Sequence, residues 1–159
     1  MTLQVGDKLP SITLRHKTAD GIQTITTDEL FQGKVVLFAL PGAFTPTCSA
    51  KHVPGFLAHY DAFVAKGVDR IACLSVNDAF VMGAWGKDQN VGDKILMLAD
   101  GNAEFAKATG LEMDGSGYGM GTRIKRLAMV VENGVVTMLN IEAPGQFEVS
   151  SAEAVLAAL

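Results

Sequence analysis

The chain has 159 residues, a formal net charge of -4 at pH 7 and 48% hydrophobic residues, which is enough for one globular domain with a buried core. This acidic balance provides no basic surface for nucleic acid or an anionic membrane, and the one basic cluster is the short run RIKR at 123–126. The first residues do not resemble a leader, and no apolar run is long enough to span a membrane. We therefore expect a cytoplasmic protein whose residues 1–159 form a single domain.

The first half of the chain predicts a parallel strand pair joined by a helix. The runs KVVLFAL at 34–40 and DRIACLSV at 69–76 are short and continuously apolar, as is typical of strands that are buried on both faces. Periodic apolar residues between them predict a helix over 47–66. A strand, a helix of this length and a second strand predict a parallel pair with a right-handed crossover.

The second half predicts further alternation and then a hairpin. Asn77 is predicted to cap a helix over 78–90, and KILMLAD at 94–100 is a third buried strand. Two strands are predicted on either side of Asn133-Gly134, the strongest hairpin signal in the chain. A helix of small residues is predicted at the end of the chain. The sequence thus predicts an α/β fold with a mixed central sheet and helices on both faces.

The segment PGAFTPTCSAKHVPGF at 41–56 places a thiol where the first buried strand leads into a helix. Binding sites of open α/β sheets collect at such strand ends. Thr45 and Pro46 are typical N-cap and N1 residues, so Cys48 is predicted in the first helical turn, where the helix dipole favours an anion. Because only the thiolate is a good nucleophile, a reactive Cys48 is favoured over the common alternative, a buried structural cysteine.

Two further residues of this segment predict structure rather than chemistry. Pro54 cannot donate a helical hydrogen bond and its ring crowds the preceding turn, so a kink is predicted there. His52 follows Cys48 by one helical turn and would share its face, which resembles half of a metal site. Since no second ligand pair completes that site, we expect no metal and a polar or packing role for His52.

The same segment resembles the active-site segment of the peroxiredoxins, whose pattern of Pro, three residues, Thr, two residues and Cys is matched by Pro41, Thr45 and Cys48. GVDRIACLSVNDAFVMGAWG, LADGNAEFAKATG and RIKRLAMVVENGVV are similar to segments of the type II, or peroxiredoxin-5-like, subgroup. The resemblance covers nearly the whole chain. It implies a thioredoxin-like fold and a cofactor-free thiol peroxidase that reduces hydrogen peroxide and organic hydroperoxides.

The resemblance also implies roles for individual residues. Cys48 would be the peroxidatic nucleophile that becomes a sulfenic acid, and the Thr45 hydroxyl would hydrogen-bond the peroxide. Pro41 would shield the sulfur from water. Arg123 is assigned to the position of the family's active-site arginine, where it would stabilise the thiolate and hold the substrate, the alternative being a solvated strand residue like Lys125.

Recycling of the oxidised thiol is expected to need an external partner. Cys73 lies on the order of 10 Å from the strand end, whereas a disulfide needs Cα atoms within about 7 Å, so Cys73 is predicted to be a buried structural thiol. One branch of the subgroup carries a resolving cysteine near its C-terminus, where this chain has Ser150. We therefore expect an external thiol to recycle Cys48, and the resemblance to bacterial and plant members of the subgroup implies glutathione with glutaredoxin. Thioredoxin is the alternative reductant, and a peroxide sensor or relay and a non-catalytic module are the alternative functions.

Three aromatic residues, Phe44, Phe80 and Trp85, lie at or near predicted loop ends. Core packing is the simplest account of such side chains. The resemblance suggests instead that they form a homodimer interface beside the active site.

Overall fold

A seven-stranded mixed sheet organises the part of the chain that the computed structural model describes, residues 2–159. Its strands and those of a small separate ribbon are β1 (Thr13–Thr18), β2 (Gly21–Thr26), β3 (Lys34–Ala39), β4 (Arg70–Ser75), β5 (Leu96–Ala99), β6 (Glu112–Asp114), β7 (Thr122–Ile124), β8 (Leu127–Glu132) and β9 (Val135–Ile141). The helices are α1 (Thr27–Leu30), α2 (Val53–Ala58), α3 (Tyr60–Ala65), α4 (Ala79–Asp88), α5 (Glu104–Thr109) and α6 (Ala152–Ala158). A π-helical turn at Cys48–His52 directly precedes α2, and a 3-10 turn covers Ser116–Tyr118. None of the described helices is both long and apolar enough to cross a membrane.

The sheet has the order β2-β1-β5-β4-β3-β8-β9, and β6 pairs with β7 in the ribbon. Strands β3, β4 and β5 are parallel, whereas β1, β2, β8 and β9 join them antiparallel. Asn133 and Gly134 connect β8 to β9 with φ angles of 50° and 84°, the left-handed conformation that a two-residue hairpin turn requires. The predicted mixed sheet and its hairpin are confirmed.

Alternate residues of β3 face two separate buried clusters, one on each side of the sheet. Val36 and Phe38 pack with residues of α2, α3, α4 and α6. Val35 and Leu37 pack with residues of α1 and α5. Burial on both faces explains why this strand is continuously apolar in sequence, and it confirms the prediction of helices on both faces.

The cap of α4 differs from the prediction. Asp78, not Asn77, caps this helix, since its side chain accepts a hydrogen bond of 2.8 Å from the N–H of Val81. Asn77 instead accepts the N–H of Ala43 at 3.0 Å and the hydroxyl of Ser75 at 2.7 Å. The Asn77 side chain therefore ties the loop after β3 to the end of β4.

The helix predicted over 47–66 is interrupted. In the π-helical turn the N–H of Val53 bonds the carbonyl of Cys48, and a break further on separates α2 from α3. Pro54 is the second residue after this turn, and because it lacks an N–H it cannot complete an ordinary α-helical ladder there. The irregularity predicted at the proline takes the form of a wider turn, which directly involves the cysteine.

The basic run at 123–126 is divided between the ribbon and the main sheet. Strand β7 ends at Ile124 and pairs with β6, whereas β8 begins at Leu127 in the main sheet. Because Leu127 pairs with Ala39, the residue directly before β8 lies at the carboxyl end of β3. That residue is Arg126.

Candidate active site

Cys48 lies at the start of the helix that follows β3. The helix begins at Pro46, and the N–H of Ser49 bonds the carbonyl of Thr45 at 2.9 Å, so Cys48 occupies the first turn as predicted. Its side chain is 0% exposed. The Thr45 hydroxyl accepts no helix N–H and does not cap the helix; it donates to the carbonyl of Gly42 at 2.7 Å.

The guanidinium of Arg126 contacts the sulfur of Cys48. Nη2 of Arg126 donates to Sγ of Cys48 at 2.9 Å, and Nη1 donates to Nδ1 of His52, also at 2.9 Å. The two bonds fix the plane of the guanidinium against the sulfur. A cation beside a cysteine favours the thiolate, which is the nucleophilic form.

The structure corrects the prediction that Arg123 reaches this sulfur. Nη1 of Arg123 donates to the carbonyls of Pro41 at 3.3 Å and Val76 at 3.2 Å, and its Nε donates to the carbonyl of Met120 at 2.8 Å. The reason is that Arg123 belongs to β7 in the separate ribbon, away from the strand that lies beside β3. Arg123 is neither the sulfur contact nor a solvated residue, because its bonds join the segments after β3 and β4 to the glycine-rich loop GSGYGMG at 115–121.

His52 is a neutral residue that connects Arg126 to the C-terminal segment. A guanidinium has only donors, so Nδ1 of His52 must accept from it, which leaves the proton on Nε2 to be donated to the carbonyl of Ser150 at 3.0 Å. Burial and the charge of Arg126 lower the pKa of His52 to about 3. The imidazole also packs against the rings of Phe38 and Phe147, with centroids 4.8 and 5.1 Å away. The predicted polar and packing role of His52 is confirmed.

The loop between β3 and the helix is tightly packed. A Cβ atom on Gly42 would lie 3.2 Å from both Nη1 of Arg123 and Cγ2 of Thr45, so the position favours glycine. Pro41 is half-buried at the start of this loop. The structure thus brings Pro41, Thr45 and Cys48 together at one loop-to-helix junction.

Cys73 is buried in the middle of the sheet. It pairs with Phe38 of β3, it is 0% exposed, and both it and Cys48 are free thiols. Burial, and secondly the neighbouring charge of Cys48, raise the pKa of Cys73 well above its ordinary value. The predicted burial of Cys73 is confirmed, and such a thiol is a poor nucleophile.

Sequence reasoning missed two residues, Arg126 and Glu142. Glu142 directly follows β9, and its N–H bonds the carbonyl of Arg126 at 3.0 Å. One carboxylate oxygen, Oε2, accepts the N–H of Glu148 at 2.8 Å and the N–H and hydroxyl of Ser150 at 2.8 and 2.6 Å. Burial alone would raise the pKa of Glu142, but these bonds hold it below its ordinary value. The sequence marks Arg126 only as the residue directly before an apolar run, and it is the pairing of that strand with β3 that brings the arginine to the sulfur.

The three aromatic residues divide into two groups. Trp85 is buried in the core, and its indole N–H donates to the hydroxyl of Ser49 at 2.9 Å. Phe44 and Phe80 are 53% and 67% exposed. Core packing therefore accounts for Trp85 but not for Phe44 or Phe80.

A buried thiol beside an arginine, at the carboxyl edge of a mixed α/β sheet, is an arrangement suited to a thiol-dependent oxidoreductase. Comparison with known proteins agrees, because the Redoxin family pattern matches residues 4–156. The chain is 54% identical over 164 residues to peroxiredoxin-2E-2, chloroplastic, of Oryza sativa subsp. japonica, covering 99% of this chain and 73% of that protein. It is 42% identical to the hybrid peroxiredoxin hyPrx5 of Haemophilus influenzae, covering 98% of this chain and 66% of that protein.

A solved structure described as reduced Prx3 in complex with hydrogen peroxide, from Vibrio vulnificus, has a TM-score of 0.95 to this chain at 57% identity, with 99% of each chain covered. The chain therefore belongs to the peroxiredoxins, the thiol-dependent peroxidases, and its relatives group it with the type II subgroup. The thioredoxin-like fold that the sequence predicted is confirmed.

Proposed function

We propose that Cys48 is the peroxidatic nucleophile that reduces hydrogen peroxide and organic hydroperoxides, and that an external thiol restores it. The observation that carries this proposal is the 2.9 Å contact between Nη2 of Arg126 and Sγ of Cys48. This contact places a cation of fixed position beside a cysteine, the most reactive kind of side chain in the described site. The first helical turn adds the favourable end of the helix dipole.

The proposed reaction transfers one peroxide oxygen to sulfur. The Cys48 thiolate attacks one oxygen, so that an S–O bond forms while the O–O bond breaks. Sulfur loses two electrons and becomes a sulfenic acid, and the departing hydroxide or alkoxide takes up a proton to give water or an alcohol. Because negative charge moves from sulfur to the leaving oxygen, the Arg126 guanidinium is suited to stabilise it throughout the step.

The loop residues have complementary proposed roles. The Thr45 hydroxyl donates to Gly42, so its oxygen lone pairs are available to accept the O–H of a peroxide. Pro41 shields the sulfur from water. Arg123 bonds the carbonyl of Pro41 and therefore holds this loop in position instead of binding the substrate.

Recycling by glutathione and glutaredoxin is the proposed second half of the cycle. Cys73 is buried in β4, and the chain has no third cysteine. Glutathione would condense with the Cys48 sulfenic acid to give a mixed disulfide and water, and a glutaredoxin thiolate would then displace the Cys48 thiolate. Since Cys48 is fully buried, this step needs local opening, for which the π-helical turn before Pro54 is a weak point.

We also propose a cytoplasmic homodimer whose protomer is one domain over residues 1–159. Phe44 and Phe80 are large apolar side chains left exposed near the active-site end, which suits contact with a second copy. The seven strands of the main sheet come from both halves of the chain, between Thr13 and Ile141, which supports a single domain. Two free thiols fit the reducing conditions of the cytoplasm.

The test is NADPH consumption in the presence of hydroperoxide. The reductant is either glutathione, glutaredoxin and glutathione reductase or thioredoxin and its reductase, each with the wild-type chain and Cys48→Ser. Turnover with the glutathione system that is lost in Cys48→Ser is the expected result. Turnover with thioredoxin alone would reverse the reductant assignment, and a single oxidation of Cys48 without turnover in either system would favour the sensor or relay.

A further inference from the structure

A continuous chain of hydrogen bonds leads from the C-terminal segment to the reactive sulfur. Oε2 of Glu142 accepts the N–H and the hydroxyl of Ser150, and the carbonyl of Ser150 accepts Nε2–H of His52. Nδ1 of His52 accepts from Arg126, which donates to Cys48. Each connection is 3.0 Å or shorter.

The protons in this series of hydrogen bonds can be placed in only one way. Arg126 can only donate, so His52 must present a bare Nδ1 and carry its proton on Nε2. That proton needs an acceptor at a fixed place, and the Ser150 carbonyl provides it. If the Ser150 backbone moved, the imidazole would lose the partner that holds its tautomer and its ring plane.

Glu142 fixes that backbone. One oxygen of its carboxylate, Oε2, accepts three hydrogen bonds, one from Glu148 and two from Ser150. These bonds hold the loop of residues 142–150 closed. The same loop carries Phe147, whose ring lies against His52 and 5.8 Å from Cζ of Arg126. Loss of the carboxylate would leave buried N–H and O–H donors without their acceptor, which is costly enough to rearrange the loop.

We propose that Glu142 is a remote positioning residue of the peroxidase site. Its carboxylate holds Ser150, Ser150 holds His52 in the Nε2-protonated tautomer, and His52 directs the Arg126 guanidinium at Cys48 and at the bound peroxide. The inference rests on the proposed role of Cys48, but the geometry of His52 can be measured without any peroxide. The groups that contact the imidazole are the rings of Phe38, Phe56 and Phe147, Nη1 of Arg126 and the carbonyl of Ser150.

The central variant is Glu142→Gln, which keeps the shape of the side chain but removes the charge and adds donors. We expect the second-order rate constant of the reduced protein with hydrogen peroxide to fall about tenfold, since small displacements of a positioned group are costly. Nitrogen NMR of the imidazole should show loss of the single Nε2–H tautomer of His52. The matched control is Glu132→Gln, which removes the same charge from an exposed residue at the far end of β8 and should change neither quantity.

A double-mutant cycle separates positioning from general loop stability. If Glu142 acts through His52, then Glu142→Gln should lower the rate constant in the wild-type background but hardly at all in the His52→Asn background. Equal losses in the two backgrounds would overturn the proposal, as would an unchanged rate constant in folded Glu142→Gln. If Glu142→Gln does not fold, Glu142→Asp takes its place in the cycle, because it keeps the charge but shortens the reach to Ser150.

The NMR measurement distinguishes failure of this inference from failure of the proposed function. A wild-type chain that does not react with peroxide would refute the role of Cys48, and the tautomer of His52 would still decide whether Glu142 controls the imidazole. Retention of one Nε2–H tautomer in Glu142→Gln would overturn the positioning role in either case.

Discussion

Nη2 of Arg126 lies 2.9 Å from Sγ of Cys48, although the two residues are 78 positions apart in the chain. The contact follows from sheet topology, because β8 runs antiparallel to β3 and pairs Leu127 with Ala39. The residue before β8 and the helix after β3 therefore meet at the same sheet edge. A charged side chain at that point lies directly beside the thiol.

Loss of the Arg126 charge should disable the peroxide reaction. Arg126→Gln is expected to lower kcat/KM for hydrogen peroxide about 100-fold or more, because it removes a fixed cation from the place where charge develops. Arg126→Lys, which keeps the charge but not the two-pronged geometry, should retain more activity. A folded Arg126→Gln chain with wild-type kcat/KM would contradict this account.

Arg123 should matter more for stability than for chemistry. Arg123→Gln removes bonds to the carbonyls of Pro41, Val76 and Met120, and we expect the free energy of unfolding in urea to fall by about 1–3 kcal/mol. The matched control, Lys125→Gln, removes the same charge from an exposed neighbour and should stay within about 0.5 kcal/mol. If Arg123→Gln lost more kcat/KM than Arg126→Gln, the roles given to the two arginines would have to be exchanged.

The features that the sequence predicted correctly are those that local patterns control. The continuous apolar runs of β3 and β4 reflect burial on both faces, and the Asn133-Gly134 turn is selected by its φ angles. The position of Cys48 depends on the end of β3 at Ala39 and on Pro46, which both lie within nine residues of it in sequence. These elements could be predicted without knowing their neighbours.

The features that were missed depend on contacts between distant segments. Arg123 and Arg126 stand in one basic run, and only the division of that run between the ribbon and the main sheet decides which one reaches the sulfur. Glu142 acts through a loop that folds back on it, and no periodicity or spacing marks such a contact. Asn77 is a suitable helix cap by residue type, but its side chain instead accepts a hydrogen bond from Ala43 in the loop after β3.

Acidification should destabilise the fold through His52. The pKa of His52 is lowered from 6.5 to about 3 by burial and by the charge of Arg126. Between these pH values the unfolded chain binds a proton on His52 that the folded chain does not bind. The contribution of His52 to stability is therefore complete above pH 6.5 and is lost as the pH falls towards about 3. The slope is at most about 1.4 kcal/mol per pH unit.

Urea unfolding at a series of pH values, for the wild-type chain and for His52→Asn, measures this contribution. The wild-type chain should lose more stability than the variant between pH 6.5 and about 3. Glu142, whose pKa is lowered from 4.5, also destabilises the fold as the pH falls below that value, but it does so in both proteins and therefore cancels in the comparison. Equal pH slopes in the two proteins would show that His52 is not held neutral.

Cys73 should be dispensable for turnover. Cys73→Ser is expected to keep most of the peroxidase activity, because the thiol is buried in β4 and its raised pKa disfavours the nucleophilic form. Cys73→Ala serves as the second variant, since it avoids placing a hydroxyl in an apolar site. The mass of the oxidised wild-type protein with glutathione present should show a glutathione adduct on Cys48. An internal disulfide between Cys48 and Cys73, or loss of turnover in both folded variants, would contradict the external recycling.

The central claim, that Cys48 is the thiol that reduces the peroxide, is tested most directly by single-turnover oxidation without any reductant. The reduced chain is mixed with excess hydroperoxide, and peroxide consumption and the loss of free Cys48 thiol are followed together. One peroxide consumed per chain in the fast phase, matched by one Cys48 oxidised and absent from Cys48→Ser, is the predicted result. A fast phase that persists in Cys48→Ser would contradict the account, because the reacting group would then lie elsewhere in the chain.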